Sequence, residues 1–263
     1  MIVCRSAAEI ERMRLANQFV AGVLSQLEAA VAPGVTTADL DRLAERIVRD
    51  GGAEPAFKGY RGYPATLCAS VNEQVVHGIP SSSRVLKSGD IVSLDIGVKL
   101  EGFYGDSAVT VAVGEVPDAT HQLLRVTNEA LERGIRQVQV GGRLSDIGHA
   151  IQGWVESHGF SVVREFVGHG IGERLHEEPQ IPNYGSPGRG PKLAEGMVLA
   201  IEPMVAMGQP ETRVLADGWT AVTRDGSLAA HFEHTVAVTA RGPLVLTARQ
   251  SAPSEETPGV FSR

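Results

Sequence analysis

Apolar Ile10, Met13, Ala16, Val20, Val23, Leu24 and Leu27 recur at three- and four-residue intervals, which predicts one buried face on a helix from Ser6 to about Ala30. Ser6 is placed to cap it and Pro33-Gly34 to stop it. A second helix opens at Thr36-Thr37, turns Leu40, Leu43, Ile47 and Val48 inward, and ends at Gly51-Gly52. A third is predicted from about Ala119 to Gln137. A fourth opens at Ser145, carries Ile147, Ile151, Trp154 and Val155, and closes at Gly159. Runs with strand character follow each pair: Ile91–Val98 and Phe103–Val113, then Val198–Val205, Thr220–Thr223, His231–Thr239 and Leu244–Thr247. The order is helices, strands, helices, strands.

That order is written twice at the level of residues. Gly34, Thr37, Leu43, Ile47 and Gly51 shifted by 108 fall on Gly142, Ser145, Ile151, Val155 and Gly159, and a shift of 107 lays Gly89–Asp95 on Gly196–Glu202. Carboxylate meets carboxylate.

Composition narrows the class. The 263 residues carry 24 Lys and Arg against 31 Asp and Glu, a formal charge of −7 without a sustained basic run, which argues against a broad nucleic-acid-binding face. Two cysteines make no disulfide framework, the N-terminus leads into a charged helix rather than an apolar signal core, and no apolar stretch is long enough to span a bilayer. A reduced, cytoplasmic protein is the expectation. With 43% hydrophobic residues and 30 glycines the chain reads as globular α/β or α+β. One catalytic domain over residues 1–250 and a disordered tail over 251–263, rich in Ser, Glu and Pro, are expected.

Four acids stand where acids are costly. Asp95 lies within Ile-Val-Ser-Leu-Asp-Ile-Gly-Val, Asp106 opens Ser-Ala-Val-Thr-Val-Ala-Val, Glu202 follows Met-Val-Leu-Ala-Ile, and Glu233 precedes His-Thr-Val-Ala-Val. Removing a charge from water without a partner costs several kcal/mol, and no Arg or Lys lies within three residues of Asp95, Glu202 or Glu233. A shared divalent cation resolves the conflict; oxygen-rich ligation with one imidazole suits a carboxylate-bridged pair of Mn, Fe, Co or Zn. The imidazole candidates are His169, flanked by Gly168 and Gly170, with His77 and His176 behind it; His234 is a candidate support for Glu233. His121, His149, His158 and His231 read as helix-surface or strand-edge residues.

Taken in order, these strings resemble the type I methionine aminopeptidases in their short bacterial form. They are Cys68–Glu73 leading to His77-Gly78-Ile79-Pro80, Asp95-Ile96-Gly97, Gly105-Asp106-Ser107, Gly168–Gly172, His176–Pro179, Gly196–Pro203, Asp217–Thr220 and Glu233-His234-Thr235. The resemblance runs from about residue 5 to 248 and implies the α+β pita-bread fold, two pseudo-symmetric halves around a dinuclear metal site. It implies that Asp95 chelates one of two divalent ions (Co, Mn, Fe or Zn), that Asp106 and Glu233 bridge both, and that His169 and Glu202 complete the other. Glu202, His77 and His176 become the catalytic candidates: Glu202 carries the proton of the attacking water, His176 assists at the scissile carbonyl, and His77 bonds the scissile amide nitrogen or adjoining main chain. A free α-amine on the Asp95 metal makes the enzyme an aminopeptidase. Tyr60, Tyr63, Cys68, His77, His176 and Trp219 bind substrate, with Phe57 and Leu175 at the pocket edge. Leu175 departs from the Phe common in bacterial relatives, and Phe57 from a smaller residue. The implied substrates are N-termini of nascent or newly made proteins with a small, uncharged second residue. Transient ribosome contact, a monomeric state and no specific nucleic acid or membrane partner go with this. A proline-specific dipeptidase and a non-enzymatic binding protein of the same fold are the alternatives.

Overall fold

The computed structural model describes residues 1–249, so the expectation for the tail at 251–263 lies outside the described residues. The first half contains helices α1 (Ala7–Ala30) and α2 (Thr37–Asp50), then strands β1 (Glu54–Pro55), β2 (Cys68–Val71), β3 (Gln74–Val76), β4 (Ile91–Leu100) and β5 (Phe103–Ala112). The second begins with α3 (Asp118–Arg136) and α4 (Leu144–Ser157), followed by β6 (Ser161–Val162), β7 (Gly168–Gly170), β8 (Glu177–Ile181), β9 (Val198–Ile201) and β10 (Met204–Ala206). It ends with β11 (Thr212–Val214), β12 (Ala221–Thr223), β13 (Ala229–His231), β14 (His234–Thr239) and β15 (Gly242–Val245). No helix among the described residues is long and apolar enough to cross a membrane.

The helix starts follow from their capping residues. Ser6 and Glu9 form a reciprocal capping box, as do Thr36 and Asp39, each satisfying two end amides at about 1 kcal/mol. The apolar faces go where periodicity puts them: Met13, Ala16, Val20, Val23, Leu24 and Leu27 of α1 are buried, and so are Leu40, Ala44 and Val48 of α2.

The repeat is sharper in three dimensions than in sequence. In the first half Gly34 N–H donates to Leu86 C=O, Leu86 N–H to Val35 C=O, and Thr37 N–H to Arg84 C=O. In the second, Gly141 donates to Leu193, Leu193 to Gly142, and Leu144 to Pro191. Every one of these pairs is related by a shift of 107, as are the bridges Thr36↔Val85 and Arg143↔Lys192. The helical shift of 108 is therefore corrected to 107, which superimposes α2 on α4 end to end and Leu40, Ala44 and Val48 on Ile147, Ile151 and Val155. Similar residues one step apart on two amphipathic helices allowed the slip.

In the first sheet β4 pairs with β5 along one edge and with β2 and β1 along the other. The second runs β15-β14-β9-β7-β8. The halves meet where the first sheet's β5 touches the chain leading into β14: Glu233 N–H donates to Ala108 C=O (2.9 Å), Ser107 Oγ to Glu233 C=O (2.6 Å), and Thr235 Oγ1 to Asp106 C=O (2.8 Å). Two long strands expected from sequence are each broken at this level. Val198–Val205 divides at Glu202-Pro203 and His231–Thr239 at Phe232-Glu233. Pro203 has no N–H to give a ladder, and both acids leave their strands at the break.

The N-terminal segment is fixed to the second half by a buried ion pair. Arg5 Nη2 donates to both carboxylate oxygens of Glu177 at 2.7 and 2.8 Å, the two side chains being only 6% and 5% exposed. Arg5→Met should cost about 3–5 kcal/mol, because it leaves Glu177 charged in a site built around its partner. Urea unfolding measures this; a loss below about 1 kcal/mol would place the pair with ordinary surface bridges.

Candidate metal centre and substrate cleft

Strand alternation turns the acids to one side. Val92, Leu94, Ile96 and Val98 of β4 enter the core of the first half, so Asp95 points to the opposite face. Because Asp95 lies across from Ala108 and Gly97 from Asp106, Asp95 and Asp106 are diagonal neighbours on that face. Glu202 and Glu233 arrive from the strand breaks of the second half. His169 lies on β7 opposite Ala200 of β9. Its flanking glycines are required by close backbone approach, since a Cβ on Gly168 would lie 2.3 Å from Ala200 C=O and one on Gly170 2.2 Å from Glu178 C=O.

All eleven residues expected at the site line one cavity of about 160 Å³: Asp95, Asp106, His169, Glu202 and Glu233 with His77, His176, Tyr60, Tyr63, Cys68 and Trp219. Phe57 and Leu175 line it too. A more open groove of about 760 Å³ on another face takes in only Glu233 of this set.

Ligand atoms of Asp106, His169 and Glu233 lie within 4.8 Å of one another. His169 Nε2 is 3.5 Å from Glu202 Oε1 and 4.0 Å from Asp106 Oδ2. The ring's other nitrogen, Nδ1, donates to Gly170 C=O at 2.9 Å, which leaves Nε2 as a lone pair facing carboxylate oxygens. Burial holds this imidazole neutral, with its pKa pushed down to about 4. Burial also raises all four carboxyls. Asp106 is pushed up to about 7; Asp95, Glu202 and Glu233 are raised well above the usual carboxylate range by burial and then by each other's charge. Asp95 Oδ1, Asp106 Oδ1 and Glu233 Oε1 are buried with no hydrogen-bond partner, and among the described residues no Lys or Arg pairs with any of the four. A lone pair facing carboxylate oxygens, within a cluster of buried carboxylates, is repelled unless a cation lies between them. The donor set fits a divalent metal ion.

Above the acids the cleft is aromatic. His176 stacks on Tyr60 at 5.2 Å, shares a 2.9 Å hydrogen bond between Nδ1 and Tyr60 Oη, and lies 4.2 Å from the His169 ring. Burial, then the neighbouring His169, lowers its pKa to about 3. His77 sits in left-handed backbone at φ 59° with its ring edge-on to Phe166 and Trp219. Tyr63 Oη donates within the wall, 3.0 Å from both Leu67 C=O and Gly78 C=O, while Cys68 is buried with its thiol pKa raised by that burial.

Two neighbours escaped the sequence reading. Arg61 lines the cavity with its guanidinium 5.4 Å from the Tyr60 ring centroid. His231, expected at a strand edge, is 1% exposed, with Nε2 3.7 Å from Glu202 Oε2. The sequence held one clue to it, a histidine between two alanines and Phe232-Glu233. His234 instead bonds Thr247 Oγ1 at 2.8 Å.

Comparison with known proteins agrees with this geometry. Residues 11–240 match the family model described as metallopeptidase family M24. The methionine aminopeptidase of Clostridium acetobutylicum is 54% identical over 247 residues, covering 94% of this chain and 99% of that protein. The crystal structure of the Thermotoga maritima methionine aminopeptidase superimposes with a TM-score of 0.93 at 50% identity, covering 95% of this chain and all of that one. A Bacillus anthracis Xaa-Pro dipeptidase gives 0.73 at 22% identity, covering 95% of this chain and 63% of that one, and shares the fold.

Proposed function

We propose, from the premise that the chain belongs to metallopeptidase family M24, that it releases the N-terminal methionine of proteins whose second residue is small and uncharged. Methionine removal follows from near-full-length identity to methionine aminopeptidases. The observation that carries the chemistry is the His169 Nε2 lone pair facing carboxylate oxygens of Glu202 and Asp106, within a buried cluster whose Asp95, Asp106 and Glu233 each keep an oxygen without a hydrogen-bond partner among the described residues.

In this reading Asp95, Asp106, His169, Glu202 and Glu233 would hold two divalent ions, with Asp95 serving one and His169 and Glu202 the other; Co, Mn, Fe and Zn would all suit the donors. Bound there, such ions would supply acidified water and a charge to stabilise a developing carbonyl oxyanion. Glu202 takes the proton of the attacking water on its carboxylate and returns it to the leaving amine, a task suited to a carboxyl whose pKa burial has raised. With Tyr60 Oη donating to Nδ1, His176 carries its proton on Nε2 and offers it to the scissile carbonyl oxygen. His77, fixed by Phe166 and Trp219, bonds the adjoining main chain. Tyr63, Cys68, Trp219, Phe57 and Leu175 enclose the unbranched side chain. A transient ribosome encounter, a monomeric state and a cytoplasmic setting belong to the same reading.

The test is turnover of Met-Ala-Ser, Met-Leu-Ser and an Xaa-Pro dipeptide with Co, Mn, Fe or Zn supplied. Free methionine from the first, at least tenfold faster than from the second, is expected. Cleavage of the Xaa-Pro dipeptide alone, or no turnover with any ion, would overturn the reading.

A further inference from the structure

His231 presents a conflict that the proposed chemistry does not absorb. Its main chain is clamped: Thr110 Oγ1 accepts from His231 N–H and donates to His231 C=O, both at 2.8 Å. Its ring is not. Among the described residues neither Nδ1 nor Nε2 has a hydrogen-bond partner, although the residue is 1% exposed. An unpartnered buried polar group is destabilising, and an aliphatic side chain of like volume would avoid that cost. Orphaned groups of this kind concentrate where function holds them.

The ring faces one acid. Glu202 lies between two imidazoles, Oε1 at 3.5 Å from His169 Nε2 and Oε2 at 3.7 Å from His231 Nε2. The two rings differ in what they offer. His169 turns a lone pair to the carboxylate, because its N–H is committed to Gly170 C=O, whereas both nitrogens of His231 are uncommitted, so its proton is free to reside on Nε2. A 3.7 Å separation is one small side-chain adjustment, or one bridging water, from a hydrogen bond.

We infer that His231 is a positioning residue for Glu202: its Nε2–H donates to Oε2, fixing the carboxylate so that Oε1 faces His169 and the ligand cluster. The inference rests on the proposed role of Glu202 and deepens it. Such supporting donors are worth about 10–100-fold in metal affinity or activity.

The experiment compares His231→Leu, which removes the donor, with His231→Gln, whose side-chain amide can restore it. Each is read by Co(II) affinity of the stripped protein in calorimetry, by kcat and KM for Met-Ala-Ser at saturating Co(II), and by thermal melting. Leu should melt no lower than the parent, bind Co(II) at least tenfold more weakly, and lose at least tenfold in kcat with KM within about threefold. Gln should recover Co(II) affinity and kcat to within about threefold of the parent. Parent-like affinity and kcat in the Leu variant, or a Gln variant impaired more than tenfold in Co(II) affinity, would overturn the inference. If the Leu variant does not fold, the Gln result alone decides by that same limit. Failure of the parent to release methionine would count against the proposed function, while the Co(II) titrations still judge His231.

Discussion

Glu202→Gln is expected to lower kcat for Met-Ala-Ser at least 100-fold while the protein stays folded and saturable with metal. Gln keeps the shape and one oxygen acceptor of the side chain but cannot accept and release a proton, and positioned proton transfer contributes about 10²–10⁴ in rate. The same change removes one of several mutually repelling buried carboxylates. Glu202 is raised by burial and by the charges of Asp95 and Asp106, so the metal-free variant should melt no lower than the metal-free parent. Catalysis and stability then move in opposite directions, which separates loss of a chemical group from damage to the fold. Bound metal is measured in parallel, with assays at saturating ion, so that a weakened ligand is not mistaken for a lost proton carrier. Activity within about threefold of the parent would remove Glu202 from the proton path.

Much of this site was legible because carboxylates in apolar strands violate the ordinary rule of burial. Asp95, Asp106, Glu202 and Glu233 attract notice one at a time, and the structure collects all four around one cavity. The strand breaks were less legible. Alternation around Glu202 and Glu233 reads as continuous strand, whereas both residues leave the ladder to face the cluster. His231 was missed for a related reason: a histidine at the start of an expected strand looks like an edge, and only contact between distant segments reveals that it is buried beside Glu202. The repeat was visible but one residue out in its helices, since amphipathic pattern tolerates a slip that backbone hydrogen bonds do not. Short pieces such as β3, β7 and β11, with only three residues each, carry too little periodicity to be seen. Phe57 and Leu175 illustrate the opposite case. Their departures from the resembled pattern were evident, and their place in the wall needed the structure.

Stripping divalent ions should abolish methionine release, with recovery on adding Co, Mn or Fe, and should expose the electrostatic cost of the bare site as a dependence of stability on pH. Burial lifts Asp106 to about 7 and raises Asp95, Glu202 and Glu233 as well. Between the unfolded values near 4 and these raised values the native state holds more protons than the unfolded chain, so this contribution makes stability fall as pH rises. The buried histidines act in the reverse sense. His77 is lowered by burial, His169 and His234 to about 4, and His176 and His231 to about 3, so from these values to about 7.5 the unfolded chain holds the extra protons and stability rises with pH. By about pH 7.5, one unit above the unfolded value, the histidines are neutral in both states and the carboxyls alone remain. Metal-free protein should therefore melt progressively lower from pH 7.5 to 8.5. At an ion concentration of 100 Kd, binding to the native state adds about 2.7 kcal/mol, equivalent to about 5–10 °C for a chain of this size. Because the bound charge offsets the carboxylates, loaded protein should also lose the downward slope above pH 7.5. Melting of stripped protein that rises or stays level from pH 7.5 to 8.5, together with no upward shift on adding Co, Mn or Fe, would mean the acids are not held as an uncompensated cluster. The case for a metal centre would then fail along with the catalysis built on it.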